Sequence, residues 1–231
     1  MAAFELAAAR GADAIELDVQ LSSDGILAVI HDRYLDRTTS GSGAVRSHTW
    51  AQLRRLDAGS WYDQRYGGQR IPSLGNVIEW ARQTEIPLLV ELKTHPFLDR
   101  GAAGLLAREL GPEVGLPLVL FSADHQLIRE LADALPNVPR GLMVNAHTPY
   151  LRRSLVGAGC SLLSQSFDAL TPMTVAMAHG LGCLVASGIR QPGDLPATLA
   201  WKVDILVSDS MDVEAIRNAV DGVALEATSG S

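Results

Sequence analysis

Eight short apolar or β-rich runs recur along this chain, at 14–21, 26–31, 87–92, 116–121, 141–145, 161–165, 184–187 and 204–208. Helical patterns fill most of the intervals. Leu74, Val77, Ile78 and Ala81 follow i, i+3, i+4, i+7 spacing behind Ser73, a residue suited to an N-cap. Leu127, Ile128, Leu131 and Leu135 repeat the pattern behind Asp124, and Thr171-Pro172 opens a further helix that ends near Gly180. Strands joined through helices pair in parallel, because the crossover returns the chain to the same end of the sheet. Repeated units of this kind predict an α/β fold, a parallel sheet with helices outside it.

One connection breaks the alternation. IELDVQL is followed by SSDG and then by ILAVIHD, and Asp24-Gly25 between two apolar runs is a hairpin signal. These two strands are expected to be antiparallel. Residues 33–70, rich in Arg and Gly, are too long for an ordinary connection and read as an inserted subdomain or lid. No linker, repeat or shift in composition divides the rest, so 1–231 reads as a single domain with a frayed tail at 226–231.

With 47% hydrophobic and 19% charged residues over 231 positions, the chain can bury a sizeable core. Its formal net charge of -7 disfavours nucleic acid or an anionic membrane as a general partner. No apolar run of about 18 residues is present, so no transmembrane helix is expected. Met1 leads into AAFELAAARGADAI with no basic-then-apolar leader, and Cys160 and Cys183 lie far apart without CxxC spacing. A cytoplasmic location is the expectation.

The chemistry concentrates at three runs. Side chains alternate along a strand, so Ile15, Leu17, Val19 and Leu21 share one face while Glu16 and Asp18 project side by side from the other. A two-residue turn at Asp24-Gly25 would pair Asp18 with His31, and a four-residue loop would pair Glu16 with His31. Either register brings His31 to the carboxylate face. In LLVELK, Glu91 and Lys93 again share a face at the end of an apolar run, where α/β folds place their chemistry. Three carboxylates, a histidine and a lysine at one mouth repel one another without a cation. A hard divalent ion with oxygen ligands, Mg2+ or Ca2+, removes that conflict, and Lys93 suits an anionic oxygen of a substrate. A half-exposed antiparallel strand with its polar side to water is the competing explanation for the acidic face of 14–21. Of the other histidines, only His95 lies close to this group in sequence.

At these residues the chain resembles the glycerophosphodiester phosphodiesterase family. The likeness is carried by GADAIELDVQLSSDGILAVIHDRYLDRTTSGSG, then LRRLDAGSWYDQRYGGQRIPSL, LLVELK, LFSAD and VDILVSD, from residue 3 to about 210. The resemblance implies a TIM-type (β/α)8 barrel that binds one divalent metal ion. It implies hydrolysis of a small-molecule glycerophosphodiester to glycerol 3-phosphate and an alcohol, an activity of lipid metabolism. By motif position Glu16, Asp18 and Glu91 look like the metal ligands, His31 like a catalytic histidine and Lys93 like a phosphate contact. In the family a substrate hydroxyl is thought to attack phosphorus first, giving a cyclic phosphate that water opens.

The departures from the family pattern are specific. The family's first strand, with its His-Arg-Gly, has no counterpart here, so the expected barrel is short of one strand, one histidine and one arginine. The family's Trp-Thr-Val-Asn is here Ser187-Gly188-Ile189-Arg190, which makes Arg190 a new cation at the mouth and a candidate substrate contact. The alternative these departures raise is a catalytically impaired barrel that binds a phosphate-containing ligand.

Overall fold

The computed structural model describes residues 1–94, 99, 101–111, 114–209 and 213–220. Its strands are β1 (Ile15–Leu21), β2 (Leu27–Val29), β3 (Leu88–Leu92), β4 (Leu118–Ser122), β5 (Arg140–Met143), β6 (Leu162–Ser166), β7 (Leu184–Gly188) and β8 (Ile205–Val207). The α-helices include α1 (Ala2–Ala9), α2 (Trp50–Leu53), α3 (Leu74–Thr84), α4 (Ala102–Leu110), α5 (His125–Ala134), α6 (Leu151–Gly157), α7 (Pro172–His179) and α8 (Leu195–Ala200), and residues 213–220 are also helical. All eight strands form one sheet in the order β2-β1-β3-β4-β5-β6-β7-β8. The β1–β2 ladder is antiparallel and every other is parallel. Among the described residues no ladder joins β1 to β8, so the sheet curls as a TIM-type barrel does without closing between them.

The helices begin where their caps dictate. Ser73 accepts the Asn76 N–H in a reciprocal capping box, and Asp124 accepts the N–H groups of Gln126 and Leu127. Thr171 caps α7 ahead of Pro172. Each such cap satisfies otherwise orphaned donors and contributes about 0.5–2 kcal/mol.

Strand parity separates two layers of core. The odd positions of β1 (Ile15, Leu17, Val19) and the even positions of β3 (Leu88, Val90, Leu92) pack with α3, α4 and α5 in the main cluster. Leu89, Phe121, Leu162 and Ala186 form a second cluster with Ala14, Val119, Met143 and Ile205 and no α-helical residue. That cluster is the inside of the curled sheet. The inward positions of β1 are thus Glu16, Asp18 and Gln20, and they face a covered interior instead of open water.

Residues 33–70 fold around their own small cluster, in which Leu35, Val45 and Leu53 are fully buried beside Ala28, Ile30 and Ile71. Asp57 organises this segment, accepting from the N–H groups of Gly59, Ser60 and Gly68. Position 59 tolerates only glycine, since a Cβ there would lie 1.9 Å from the Tyr66 carbonyl oxygen.

The hairpin differs from both registers expected. Val19 pairs with Val29 and Leu21 with Leu27, so the connection is five residues long. Its side chains explain this. Ser22 Oγ donates to Asp24 Oδ1 and accepts from the Ile26 N–H, while Asp24 Oδ1 also accepts the Trp50 N–H at the start of α2. Asp24 sits inside the turn that the Gly25 N–H closes on the Ser22 carbonyl, with Gly25 at φ 80°, and its side chain also ties the hairpin to the inserted segment. The one-residue shift reverses facing along β2, so strand alternation is not what brings His31 to the acidic face. The chain leaves β2 after Val29, buries Ile30 in the inserted cluster and delivers His31 beyond the ladder.

Candidate active site

Parallel pairing of β1 with β3 sets Asp18 directly beside Glu91, with Glu16 one inward position earlier. One carboxylate oxygen from each of Glu16, Asp18 and Glu91 lies within 4.8 Å of the others. Lys93 Nζ stands 3.1 Å from Asp18 Oδ1 and 3.1 Å from Glu91 Oε2. The Glu91 side chain is 7% exposed and that of Lys93 21%.

Confinement perturbs these groups. Burial, followed by the charges of Asp18 and Glu91, pushes the Glu16 carboxyl up to about 8, with Asp209 adding to the effect and Lys93 opposing it. Burial likewise raises Glu91, against the pull of Lys93. Burial works against the Lys93 ammonium, yet Asp18 and Glu91 outweigh it and hold its pKa above the usual lysine value. Acidic groups with raised values beside a lysine with a raised value are short of positive charge.

A divalent cation fits that deficit. Ca2+ binds oxygens at about 2.3–2.6 Å, so two ligands on opposite sides of one ion stand up to about 5 Å apart, and the 4.8 Å limit of this cluster is compatible with it. All three donors are hard carboxylate oxygens, as Mg2+ and Ca2+ prefer.

The rest of the site is built around the β3 end. Ser122 Oγ donates to the Leu92 carbonyl and accepts the Asp124 N–H, and Thr94 Oγ1 donates to Asp124 Oδ2. These bonds tie the ends of β3 and β4 together on both sides of Lys93. Gln20, on the same inward face as Glu16 and Asp18, donates from Nε2 to the His31 carbonyl and so holds the histidine at the rim. A cavity of 420 Å3 opens here, lined by His31, Tyr34, Glu91, Lys93 and Asp124 among others. The structure thus groups Glu16, Asp18 and Glu91, bonds Lys93 to the last two, and sets His31 on the cavity that Glu91 and Lys93 line.

Arg190 is not part of this group. It follows β7 at the same end of the sheet, donates from a terminal nitrogen to Asp168 Oδ1 at 2.5 Å, and is absent from the cavity lining. His95 and the 226–231 tail lie outside the described residues. Sequence reasoning missed Asp32 and Arg37. Asp32 accepts from Arg37, its Oδ1 2.8 Å from a terminal nitrogen and its Oδ2 2.6 Å from Nε, and its Oδ1 also lies 2.7 Å from His31 Nδ1. The adjacency of His31 and Asp32 in the chain was the available signal.

The model of the glycerophosphoryl diester phosphodiesterase family matches residues 1–213. This chain belongs to that family. Among relatives, a glycerophosphodiester phosphodiesterase of Bacillus subtilis is 44% identical over 224 residues, 87% of this chain and 74% of its own length. That of Caldanaerobacter subterraneus subsp. tengcongensis is 36% identical over 145 residues, 62% of this chain and 59% of its own length, so the match spans about three-fifths of that relative. A phosphodiesterase of Oleispira antarctica, solved with its product sn-glycerol-3-phosphate, superposes with a TM-score of 0.87 at 29% identity, covering 95% of this chain and 90% of that one. Among the described residues no helix is long and apolar enough to cross a membrane.

Proposed function

We propose that this protein is a metal-dependent phosphodiester hydrolase that cleaves glycerophosphodiesters to glycerol 3-phosphate and an alcohol. The observation that carries this reading is the convergence of Glu16, Asp18 and Glu91 around Lys93, with His31 on the same cavity. Glu16, Asp18 and Glu91 would hold one Mg2+ or Ca2+. When bound, such an ion supplies positive charge for the phosphoryl oxygens.

The protein's own groups divide the remaining work. The substrate phosphodiester is an anion, and Lys93 is a half-buried cation in the cavity lining that attracts it. Asp18 and Glu91 keep Lys93 charged and aimed at one place. His31 has Nδ1 engaged by Asp32, which leaves Nε2 free to take the proton of an attacking hydroxyl and to return one later. Tyr34, 61% exposed on the rim of the same cavity, offers a ring face to the part of the substrate beyond the phosphate. The release of glycerol 3-phosphate places this activity in lipid metabolism. Arg190 is retained only as an outer contact, since Asp168 already engages it.

Hydrolysis of glycerophosphocholine and glycerophosphoglycerol, followed by release of glycerol 3-phosphate, tests this reading. Activity with Mg2+ or Ca2+, its loss with a chelator and its loss in Glu16→Gln are the expected results. Binding of glycerol 3-phosphate and metal with no turnover of any glycerophosphodiester would replace the hydrolase by a phosphate-ligand binder.

A further inference from the structure

The inserted segment reaches the site through one chain of contacts. His31 Nδ1 lies 2.7 Å from Asp32 Oδ1. Arg37 grips the same carboxylate with two donors, Nε to Oδ2 at 2.6 Å and a terminal nitrogen to Oδ1 at 2.8 Å. The Arg37 guanidinium in turn sits 5.7 Å from the centroid of the Trp61 ring. Trp61 is pinned by its own Nε1–H, which donates to the Ala58 carbonyl at 3.1 Å beside the turn that Asp57 organises.

We propose that Asp32 and Arg37 are positioning residues for His31, with Asp32 fixing the ring as the Nδ1–H tautomer and Arg37, braced on Trp61, fixing Asp32. The inference rests on the phosphodiesterase reading for its catalytic meaning, although its central claim concerns the histidine ring alone.

A neutral imidazole carries one proton, and its position is set by the partner of the other nitrogen. An ionised carboxylate at Nδ1 accepts and cannot donate, so the proton sits on Nδ1 and the lone pair on Nε2. Asp32 stays ionised because the hydrogen bonds of Arg37, and then that of His31, hold its carboxyl far below the ordinary range. A carboxylate gripped at two points by a planar fork loses its freedom to rotate. Without Arg37, the 65% exposed His31 would share its carboxylate with water. The same carboxylate stabilises the imidazolium that forms when Nε2 accepts a proton. Charge bears on the ring from several sides: Asp32, Arg33 and Arg37 on its own segment, Glu91 and Lys93 beyond the end of β3, and Asp124 ahead of α5.

The test is nitrogen–proton correlation NMR of the histidine rings in the full chain, with His31→Gln identifying the His31 signals. The parent should show neutral His31 as the Nδ1–H tautomer. Asp32→Asn should shift the ring toward Nε2–H, because the acceptor that fixes the proton on Nδ1 loses its charge. Arg37→Gln should reduce the Nδ1–H fraction, and Arg37→Lys, which keeps the charge, should restore part of it. In turnover, Asp32→Asn should lower kcat by about 10–100-fold with KM unchanged, the usual scale for a group that orients another. If Arg37→Gln fails to fold, Asp32→Asn decides. An unchanged tautomer in folded Asp32→Asn would overturn the proposal even if the protein hydrolyses glycerophosphodiesters. The expected tautomer shifts in a protein without hydrolysis would sustain the positioning chain and remove the phosphodiesterase reading instead.

Discussion

Two ion-pair groups stand at the same end of this sheet, and they are chemically alike but physically different. At the β1/β3 side, Lys93 bridges Asp18 and Glu91 with side-chain exposures of 21%, 15% and 7%. Past the ends of β6 and β7, Arg190 meets Asp168 with exposures of 66% and 67%. The second pair is the shorter, at 2.5 Å against 3.1 Å. Distance is therefore a poor guide to consequence. In water the attraction is weak and the cost of ordering two long side chains offsets it. Inside the curled sheet the charges are desolvated, each depends on its neighbours, and removing one strands the others. Asp168 raises Arg190 as Asp18 and Glu91 raise Lys93, but only the β1/β3 group combines a raised lysine with raised carboxyl groups, the mark of a cation deficit.

The largest expected effect tests the deficit itself. Glu91→Gln should abolish most divalent-ion binding and lower glycerophosphodiester hydrolysis by at least about 10²-fold. Calorimetric titration with Mg2+ and Ca2+ checks the first, and product release the second. In the parent, ion at 100 times its Kd should stabilise the fold by about 2.7 kcal/mol, and this gain should vanish in the variant. A parent that takes up no ion would make the two pairs equivalent and break the comparison.

The second effect is a pH dependence. The Glu16 carboxyl sits at about 8 in the folded chain against an ordinary 4.5. The folded state therefore holds a proton that the unfolded state releases first. Without divalent ions, stability should be full below about pH 4.5 and fall as pH rises toward about 8, by an amount on the order of a few kcal/mol. Glu16→Gln should flatten that window in denaturant titrations. Bound ion should reduce the fall, since it favours the ionised carboxylate, and ion affinity should rise over the same range.

Lys93→Met probes the buried pair directly. Without ion it should cost about 1–3 kcal/mol, because Asp18 and Glu91 lose their buried cation. Added Ca2+ should return more stability to this variant than to the parent. The smallest effect belongs to Arg190→Met, which should leave the melting temperature unchanged within the scatter of replicate scans. A loss comparable to that of Lys93→Met would show that burial is not what separates the two groups.

The hairpin shows where sequence reasoning stops. Asp24-Gly25 signals a turn correctly, and β1 and β2 are antiparallel. The register follows a three-residue loop in which Gly25 takes φ 80° and the Ser22 N–H meets the Ile26 carbonyl, while the Asp24 side chain binds Trp50 N–H, 26 residues away. No local pattern carries that contact. The same holds for Arg37, whose role comes from a loop folding back on Asp32 and Trp61. The proximity of Arg190 to Asp168 is likewise invisible in the sequence, since that pairing is set by the neighbouring ends of β6 and β7.

The sequence by itself determined the α/β class, the faces of the strands and the identity of the charged cluster. Two-residue periodicity is a property of the extended backbone, so Glu16 with Asp18, and Glu91 with Lys93, share faces wherever those strands go. The tertiary structure decided which strand stands beside which, and so that Asp18 meets Glu91 across a ladder. It also decided that the acidic face looks inward, and that His31 arrives at the site through Gln20 and the inserted cluster instead of through strand pairing. Register, burial and the partners of a side chain are set by hydrogen bonds and packing between residues far apart in the chain, and local periodicity cannot specify them.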